Sequence, residues 1–439
     1  MLIMIQRKNK PIVVEKDKLS DQSLSEHVSF RMVLNNFDFR NLLFGQFFGN
    51  LGDAIFRLAI ILYVYGLTGS KTLMTFVLAA QTAPWIIFGP IAGVFADKLN
   101  RKKMMIAADS LRLVVISLLP FATNIYVILV ISFLLGLGAA SYMAPRSAAI
   151  PEITGMKLYV KAISLSQLVF QTIAVLGPLL AAPIYGFLGP TTFWISTGCF
   201  LISILFVLRI TVPSASRNID EIMTVRSVFI DLKEGLKFLF THPVVRLIIV
   251  LFTIIIIGMN FATPLLYPWI FEIRHNGEEA LEQLAQREFG LISAFTAVGS
   301  IIGNLLYGKF DKQIGPVKAV SFGSFGFALY FFIFVFKPSL PILGLAGMVM
   351  GTMSGMLNLS ITGIFAKAVP NEIRGRAFSA VNAYFQIFSV VFLSLSGLTA
   401  DAIGVVATMS GAAIFLTLFL LIFALKTKFF KFLLIKEKG

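Results

Sequence analysis

The amino-acid sequence predicts an all-α membrane protein with twelve transmembrane helices arranged in two six-helix bundles. The composition is 57% hydrophobic and only 13% charged, with a mean hydropathy of +0.87, which is more apolar surface than a soluble core can bury. The apolar residues form runs of roughly 20 residues, the length at which a helix crosses a bilayer. Most runs lack the two-residue alternation of strands, which favours helices over a β-barrel.

We number the predicted spans 1 to 12 in chain order. They cover residues 41–66, 72–96, 104–122, 124–146, 158–187, 192–212, 246–271, 288–308, 317–336, 340–366, 376–400 and 402–425. The predicted units are a cytoplasmic N-terminal segment, a first bundle, a cytoplasmic linker, a second bundle and a basic cytoplasmic tail, at 1–40, 41–212, 213–245, 246–425 and 426–439.

The distribution of lysine and arginine predicts the orientation of the spans. With the N-terminus in the cytoplasm, 31 of the 37 Lys and Arg residues lie on the cytoplasmic side and four lie in outer loops. Cytoplasmic loops of membrane proteins collect basic residues in this way, so both termini are predicted to be cytoplasmic in the cell membrane. The same asymmetry accounts for the net charge of +15, so the predicted partner is the lipid bilayer and no nucleic acid is expected.

The linker and two short sequence patterns that occur once in each half support the division into halves. Residues 227–240 place apolar and charged residues at helical spacing, which predicts an amphipathic helix at the inner interface. Asp97 and Lys98 follow span 2, and Asp311 and Lys312 follow span 8 at an offset of 214 residues. A second repeated pattern, a proline followed by an acid, comes after spans 4 and 10 at nearly the same offset. These repeated patterns indicate a parallel duplication, which one large class of transporters uses.

The loop between spans 2 and 3 holds the most specific local pattern. Gly93 is followed four residues later by an acid, Asp97, and then by the basic residues Lys98, Arg101 and Lys102. This segment, GVFADKLNRKK at 93–103, resembles the loop signature of the major facilitator superfamily. The resemblance implies that Asp97 contacts the opposite bundle near the start of span 11 and that this loop acts as a conformational latch.

Two positions near this loop qualify the resemblance. Asn100 stands where the family often has glycine, and asparagine also tolerates left-handed backbone conformations. Arg146, near the inner end of span 4, either faces Asp97 as part of the latch or is an ordinary positive-inside anchor. The family's fourth-span arginine would fall near Ser132, so that element is absent from this chain.

Four further stretches, 52–70, 136–153, 234–246 and 369–379, resemble the macrolide-efflux-like branch of the family, which comprises multidrug and siderophore exporters. This resemblance implies export of an amphipathic compound driven by a proton gradient. Gly177 and Pro178 in span 5 resemble the start of an antiporter signature whose later glycines are replaced here. A Gly-Pro pair that merely kinks the helix is an equal alternative.

Ionisable residues within spans are costly, so each is a functional hypothesis. Asp53 lies twelve residues into span 1, about 18 Å at 1.5 Å per residue, which is near the membrane midplane. Arg57 lies one turn further on the same face, and we expect it to pair with Asp53 at a proton or substrate-cation site. A fixed structural ion pair is the alternative, because a neighbouring arginine opposes protonation of the acid whereas burial favours it.

A second charge pair, Asp109 and Arg112, lies in span 3 closer to the inner surface, where Arg112 is expected to extend toward water. We favour a structural role for this pair. The resemblance implies a cavity lined by spans 1, 4, 7 and 10, which makes Asn50, Asn260 and Asn358 its candidate polar residues. Hydrogen bonds between helices are an equal explanation for these asparagines.

These observations predict a proton-coupled secondary transporter, not an enzyme, that exports a small amphipathic drug, peptide or siderophore-like compound as a monomer. No cofactor or metal site is predicted. The segment Gly303 to Lys309 matches a phosphate-binding loop until Phe310, where Ser or Thr should bind magnesium. The alternatives are a lipid or lysophospholipid flippase or an importer with the same fold, and a transport-inactive sensor or scaffold.

Overall fold

The computed structural model describes residues 30–212, 225–370 and 374–427, with some side chains inside these ranges left out, and the described chain is almost entirely helical. A short helix, Phe30–Asn35, precedes the spans. Spans 1 to 3 are Phe37–Thr68, the pair Lys71–Thr82 and Pro84–Lys98, and Arg101–Ser117. Spans 4 and 5 share Ile125–Leu188, and span 6 is Thr192–Leu208. The linker helix is Val225–Thr241, and span 7 begins as Pro243–Ala262. Spans 8 and 9 share Glu282–Ile333, and spans 10 to 12 are Leu340–Ala368, Arg374–Ile403 and Val405–Thr427.

Glycines turn the chain where one continuous helix would otherwise join two spans. Gly155 has φ 70° and ψ 161° between spans 4 and 5, and Gly315 has φ 64° and ψ 158° between spans 8 and 9. Residues with a Cβ rarely adopt this region, whereas glycine enters it without steric cost. Each glycine therefore reverses the chain at the inner end of two consecutive spans without a long loop.

Short polar side chains begin several of the spans. Asn36, Ser70 and Asn100 precede spans 1, 2 and 3, and each side-chain oxygen accepts a hydrogen bond from a backbone N–H in the first turn. Such caps satisfy N–H groups that have no partner inside the helix. Asn100 has φ −66°, so it does not use the left-handed conformation that asparagine tolerates and serves as a helix cap.

Nine helical segments among the described residues are long and apolar enough to cross a membrane. One of them, Ile125–Leu208, has 84 residues and contains predicted spans 4, 5 and 6. Eleven of the predicted spans fall within these nine segments. Span 9 has several undescribed side chains and is not among them. The all-α membrane architecture is confirmed, and the exact count of twelve stays a prediction.

The apolar cores show how the two halves meet. We call the end of the molecule that holds the span 1–span 2 connection the outer end, and the opposite end the inner end. Residues of both halves share one buried cluster, from Phe56, Tyr65 and Met74 to Tyr267 and Phe289. Nearer the inner end the cores separate into a cluster of the first half around Phe39 and a cluster of the second half around Leu239. The halves are therefore joined by apolar packing toward the outer end and have separate cores toward the inner end.

The linker helix packs on the second half. Leu232, Leu236 and Leu239 of this helix contact the cluster that contains Val245 of span 7 and Ala380 of span 11. Part of its apolar face is thus covered by protein, whereas the prediction placed the helix at the membrane interface. The rest of the predicted linker, residues 213–224, lies outside the described residues. The basic tail after 427 and the N-terminal segment before 30 also lie outside them.

Candidate functional site

The centre of the first half holds a network of three charged side chains, in which Arg112 bonds two aspartates. The Arg112 guanidinium donates from Nη1 to Asp53 Oδ2 at 2.7 Å and from Nη2 to Asp109 Oδ1. Asp109 also accepts a hydrogen bond from Ser203 Oγ at 2.7 Å. Arg112 and Asp109 are 3% and 0% exposed, whereas the Asp53 side chain is 30% exposed. Asp53 is therefore the member of the network that solvent can reach.

This network corrects the expected pairing of Asp53 with Arg57. Arg57 is exposed and makes no ion pair among the described residues. The two side chains do share a face of span 1, but span 3 brings Arg112 against Asp53, and a second carboxylate there stabilises the guanidinium further. Asp53 thus joins the predicted Asp109–Arg112 pair in one network that does not include Arg57, and Arg112 is buried within it and does not extend toward the inner surface.

Small and aromatic residues shape the space that Arg112 occupies. Its Cζ lies 4.5 Å from the centre of the Phe200 ring and 5.0 Å from that of Tyr142, so both ring faces contact the cation. A Cβ on Gly138 would lie 2.7 Å from Arg112 Cγ. Spans 4 and 6 therefore hold the arginine in place, and substitution of Gly138 would displace it.

Span 5 approaches span 1 closely beside Asp53. A Cβ on Gly177 would lie 2.5 Å from the Cβ of Ala54, the residue after Asp53, and the carbonyl oxygen of Pro178 lies 3.2 Å from where a Cβ on Gly290 would be. The predicted Gly177-Pro178 element is thus a point of close helix contact between spans 1, 5 and 8. Its role in transport remains a prediction.

The three candidate cavity asparagines differ in their surroundings. Asn260 donates to Ile256 O at 2.9 Å and to Ser389 Oγ of span 11 at 3.2 Å, which favours the alternative of a hydrogen bond between helices. Asn50 is half-buried, one turn from Asp53 on span 1, and Asn358 is exposed. Asn50 is therefore the candidate that shares a helix face with the charged network.

The inner loop is partly described. Arg101 forms a salt bridge with Glu152 at the inner end of span 4, and Lys102 Nζ donates to Leu208 O at 2.7 Å. Gly93 is half-buried with open space beside its Cα. The side chains of Asp97 and Lys98 lie outside the described residues, so the latch role of Asp97 stays a prediction. The basic residues of the loop tie spans 3, 4 and 6 together within the first half.

Arg146 contacts span 1. Its Nη2 donates to Gln46 Oε1 of span 1 at 2.7 Å, and its Nη1 lies 3.4 Å from Met143 Sδ. It has no contact with an acid among the described residues, which do not include the side chain of Asp97, so the pairing of Arg146 with Asp97 stays a prediction. Gln46 is held in turn by its Nε2, which donates to Ser166 O at 2.9 Å.

Polar contacts between the halves close the outer end. Lys71 Nζ lies 2.7 Å from Glu272 and 3.6 Å from Asp401, and Tyr65 donates to Glu272. Asp401 of span 11 also accepts hydrogen bonds from the N–H groups of Lys71 and Thr72 at 3.2 and 2.9 Å. The carboxylate therefore caps the N-terminus of span 2 from the other half. Between described residues, every salt bridge that joins the halves lies here, at Lys71.

Sequence reasoning missed this cluster, which we call the outer gate and define as Tyr65, Lys71, Glu272 and Asp401. Each of its ionisable members stands at the end of a span, where charged residues are common and carry no signal by themselves. The sequence does show one lysine in the first outer loop and an acid at the outer end of span 11, but nothing in it indicates that they meet.

We expect Asp401→Asn to weaken closure of the outer end. A carboxylate at a helix N-terminus contributes about 0.3–1 kcal/mol and up to ~2 kcal/mol when partly buried, and the change also removes the ion pair with Lys71. Every 1.4 kcal/mol changes the ratio of two states about tenfold. Spin labels at Asn124→Cys and Ser339→Cys, at outer ends of the two halves, should report a larger population of long distances. Asp401→Glu, which keeps the charge, serves as the control, and identical distance distributions for wild type and Asp401→Asn would contradict the assignment.

Comparison with known proteins places this geometry in a family. The model of the Major Facilitator Superfamily matches residues 42–279 and 266–434. The multidrug efflux pump Tap of Mycolicibacterium fortuitum is 24% identical over 84% of this chain and 90% of its own length. Macrolide efflux protein A of Streptococcus pyogenes is 25% identical over 82% of this chain and 89% of its own length. The crystal structure of the nucleoside transporter NupG superposes with a TM-score of 0.69 at 13% identity, covering 90% of this chain and 99% of that one. The two successive matches of the family model, the helical membrane fold and the paired halves show that this chain belongs to the Major Facilitator Superfamily and is a transporter rather than an enzyme.

Proposed function

We propose that the protein is a proton-coupled exporter of an amphipathic compound and that Asp53 is the proton-coupling carboxylate. The observation that carries this proposal is the partly exposed Asp53 side chain bonded to the buried Arg112. A carboxylate that solvent reaches at membrane depth can exchange a proton, whereas Asp109 is fully buried. Similarity to proteins named for multidrug and macrolide efflux supports the export direction.

The outer gate and the separate inner cores support an alternating-access cycle. In the described conformation the outer end is closed by apolar and ionic contacts between the halves, and the substrate would enter from the cytoplasm between the inner cores. A rocking motion of the halves would then open the outer end and release the substrate outside. Protonation of Asp53 from the outside would weaken its bond to Arg112 and favour the return.

The orientation is part of this proposal. The 31-to-4 distribution of basic residues supports a cytoplasmic position for both termini. A reporter that is active only outside the cytoplasm, fused after Gly439, would stay inactive. Its activity would reverse the direction assigned to every step above.

Proteoliposomes with an imposed pH gradient test the proposal directly. We expect a dansyl-labelled amphiphile to move across the membrane only while the gradient exists, and a protonophore to stop the movement. Movement between the leaflets without coupling to a gradient would instead favour the flippase alternative. Absence of movement for any amphiphile, together with intact folding, would favour a transport-inactive sensor.

A further inference from the structure

The charges at membrane depth are distributed unequally between the halves. In spans 1 to 6, Asp53, Arg57, Asp109 and Arg112 lie well inside the predicted limits, whereas Arg146, Lys161 and Arg209 lie within three residues of a span end. In spans 7 to 12, every Asp, Glu, Lys and Arg within the predicted limits lies within two residues of a span end. The interior therefore carries two arginines and two aspartates, and Arg146 lies at its inner border. Because Arg112 already bonds both aspartates, neither aspartate is left for Arg57 or Arg146.

Arg146 is the arginine whose surroundings indicate a binding site. Its Nη2 bonds the neutral Gln46 amide, and its Nε is buried without a hydrogen-bond partner. A buried cation without an acid is unstable at this depth unless another anion compensates it. Glu152, the nearest acid along span 4, is engaged by Arg101. The counter-ion of Arg146 is thus not supplied by the described protein.

The position of Arg146 makes it accessible from the inner end. It lies nine residues before the chain reversal at Gly155, about 14 Å along the helix at 1.5 Å per residue. Its side chain is half-buried, and exposure of a guanidinium to lipid would be costly. Its exposed part therefore faces the water-accessible space between the separate inner cores of the two halves, where a cytoplasmic substrate would arrive.

We propose that Arg146, oriented by Gln46, binds the anionic group of the transported compound, so that the substrate is an acidic amphiphile rather than a cationic one. A guanidinium binds carboxylate and phosphate groups with two parallel hydrogen bonds. This inference rests on the proposed transport function and specifies its substrate class.

Binding of a matched probe set to the purified full-length protein in maltoside micelles tests the inference. The probes are four dansyl amphiphiles of equal chain length that end in a carboxylate, a phosphate, a methyl amide or a dimethylamine. We expect wild type to bind the carboxylate or phosphate probe at least tenfold more tightly than the amide. Arg146→Gln should remove this preference and leave amide binding within twofold, whereas Arg146→Lys should keep part of it. Arg40→Gln, a change at an exposed arginine at the inner end of span 1, is the matched control and should behave as wild type.

Several outcomes would overturn the inference. Tighter binding of the amine probe, failure of the acidic probes to bind, or an equal loss of all four probes in Arg146→Gln would each do so. Displacement of the acidic probes by phosphatidylglycerol but not by the amide probe would identify a lipid headgroup as the ligand. The transport proposal can fail separately. If acidic probes bind preferentially through Arg146 but no pH gradient drives their movement, the binding site stands and the proton-coupled exporter is rejected.

Discussion

Asp53→Asn is expected to abolish accumulation against a gradient while leaving substrate binding intact. A difference of one pH unit across the membrane provides about 1.4 kcal/mol for each proton that crosses it. Exchange of one proton for one substrate molecule can therefore accumulate the substrate about tenfold. The asparagine keeps the size of the side chain and a hydrogen bond from Arg112, but it cannot take up a proton. We therefore expect the accumulation ratio in proteoliposomes to fall to about one, whereas exchange of labelled for unlabelled substrate continues.

The matched control is Asp109→Asn. Asp109 is fully buried and bonds both Arg112 and Ser203, so its substitution should lower stability more than it changes coupling. If Asp53→Asn still accumulates substrate with the pH dependence of wild type, the carboxylate is structural and coupling would have to be sought at Asp109. Arg57→Ala, which would matter greatly if Arg57 were the partner of Asp53, is expected to change the pH dependence little.

Arg112→Leu is expected to cost about 3–5 kcal/mol of folding stability. Removal of one partner from a buried ion pair leaves an uncompensated charge, and here two carboxylates lose their partner at once. Thermal unfolding in detergent should show a large loss, or the variant should fail to accumulate in the membrane. The control is Arg57→Leu, a change at an exposed arginine that forms no ion pair with the part of the chain that the structure describes, which should stay within about 0.5 kcal/mol of wild type.

A rescue experiment separates the charge effect from lost packing. The triple variant Arg112→Leu, Asp53→Asn, Asp109→Asn leaves no unpaired charge in this network, so it should recover much of the stability lost in the single variant. It should not recover coupled transport, because the proton site is gone. No recovery of stability would mean that the contacts of Arg112 with Tyr142 and Phe200, rather than its charge, maintain the fold.

The fold could be predicted from the sequence because the bilayer imposes one simple requirement on it. Every span must be apolar over a fixed length, and the hydropathy of the sequence identifies such runs directly. The chain reversals at Gly155 and Gly315 fall between the predicted limits of consecutive spans, although the sequence does not show the positive φ of either glycine. The surface on which the linker helix packs could not be predicted, because an amphipathic face fits a lipid surface and a protein surface equally well.

The site was only partly predictable because its contacts come from different helices. Asp53, Asp109 and Arg112 were recognisable as buried charges, but spacing within one helix favoured Arg57 as the partner of Asp53. The actual contact crosses from span 1 to span 3, and Gly138 of span 4 leaves room for it. Likewise, nothing in the sequence around Arg146 indicates that its neighbour is Gln46, 100 residues earlier.

The shared outer cluster determines which half of the cycle needs energy. Opening the outer end would expose Tyr65, Tyr267 and Phe289, which are almost fully buried where the halves meet. Exposure of a single large apolar side chain costs about 1.5–3 kcal/mol, and several must be exposed together. The described inner cores have no comparable cluster in common, so the described conformation is closed at the outer end. In the proposed export cycle, opening toward the outside would then be the uphill step, and the return would be downhill once the substrate has left.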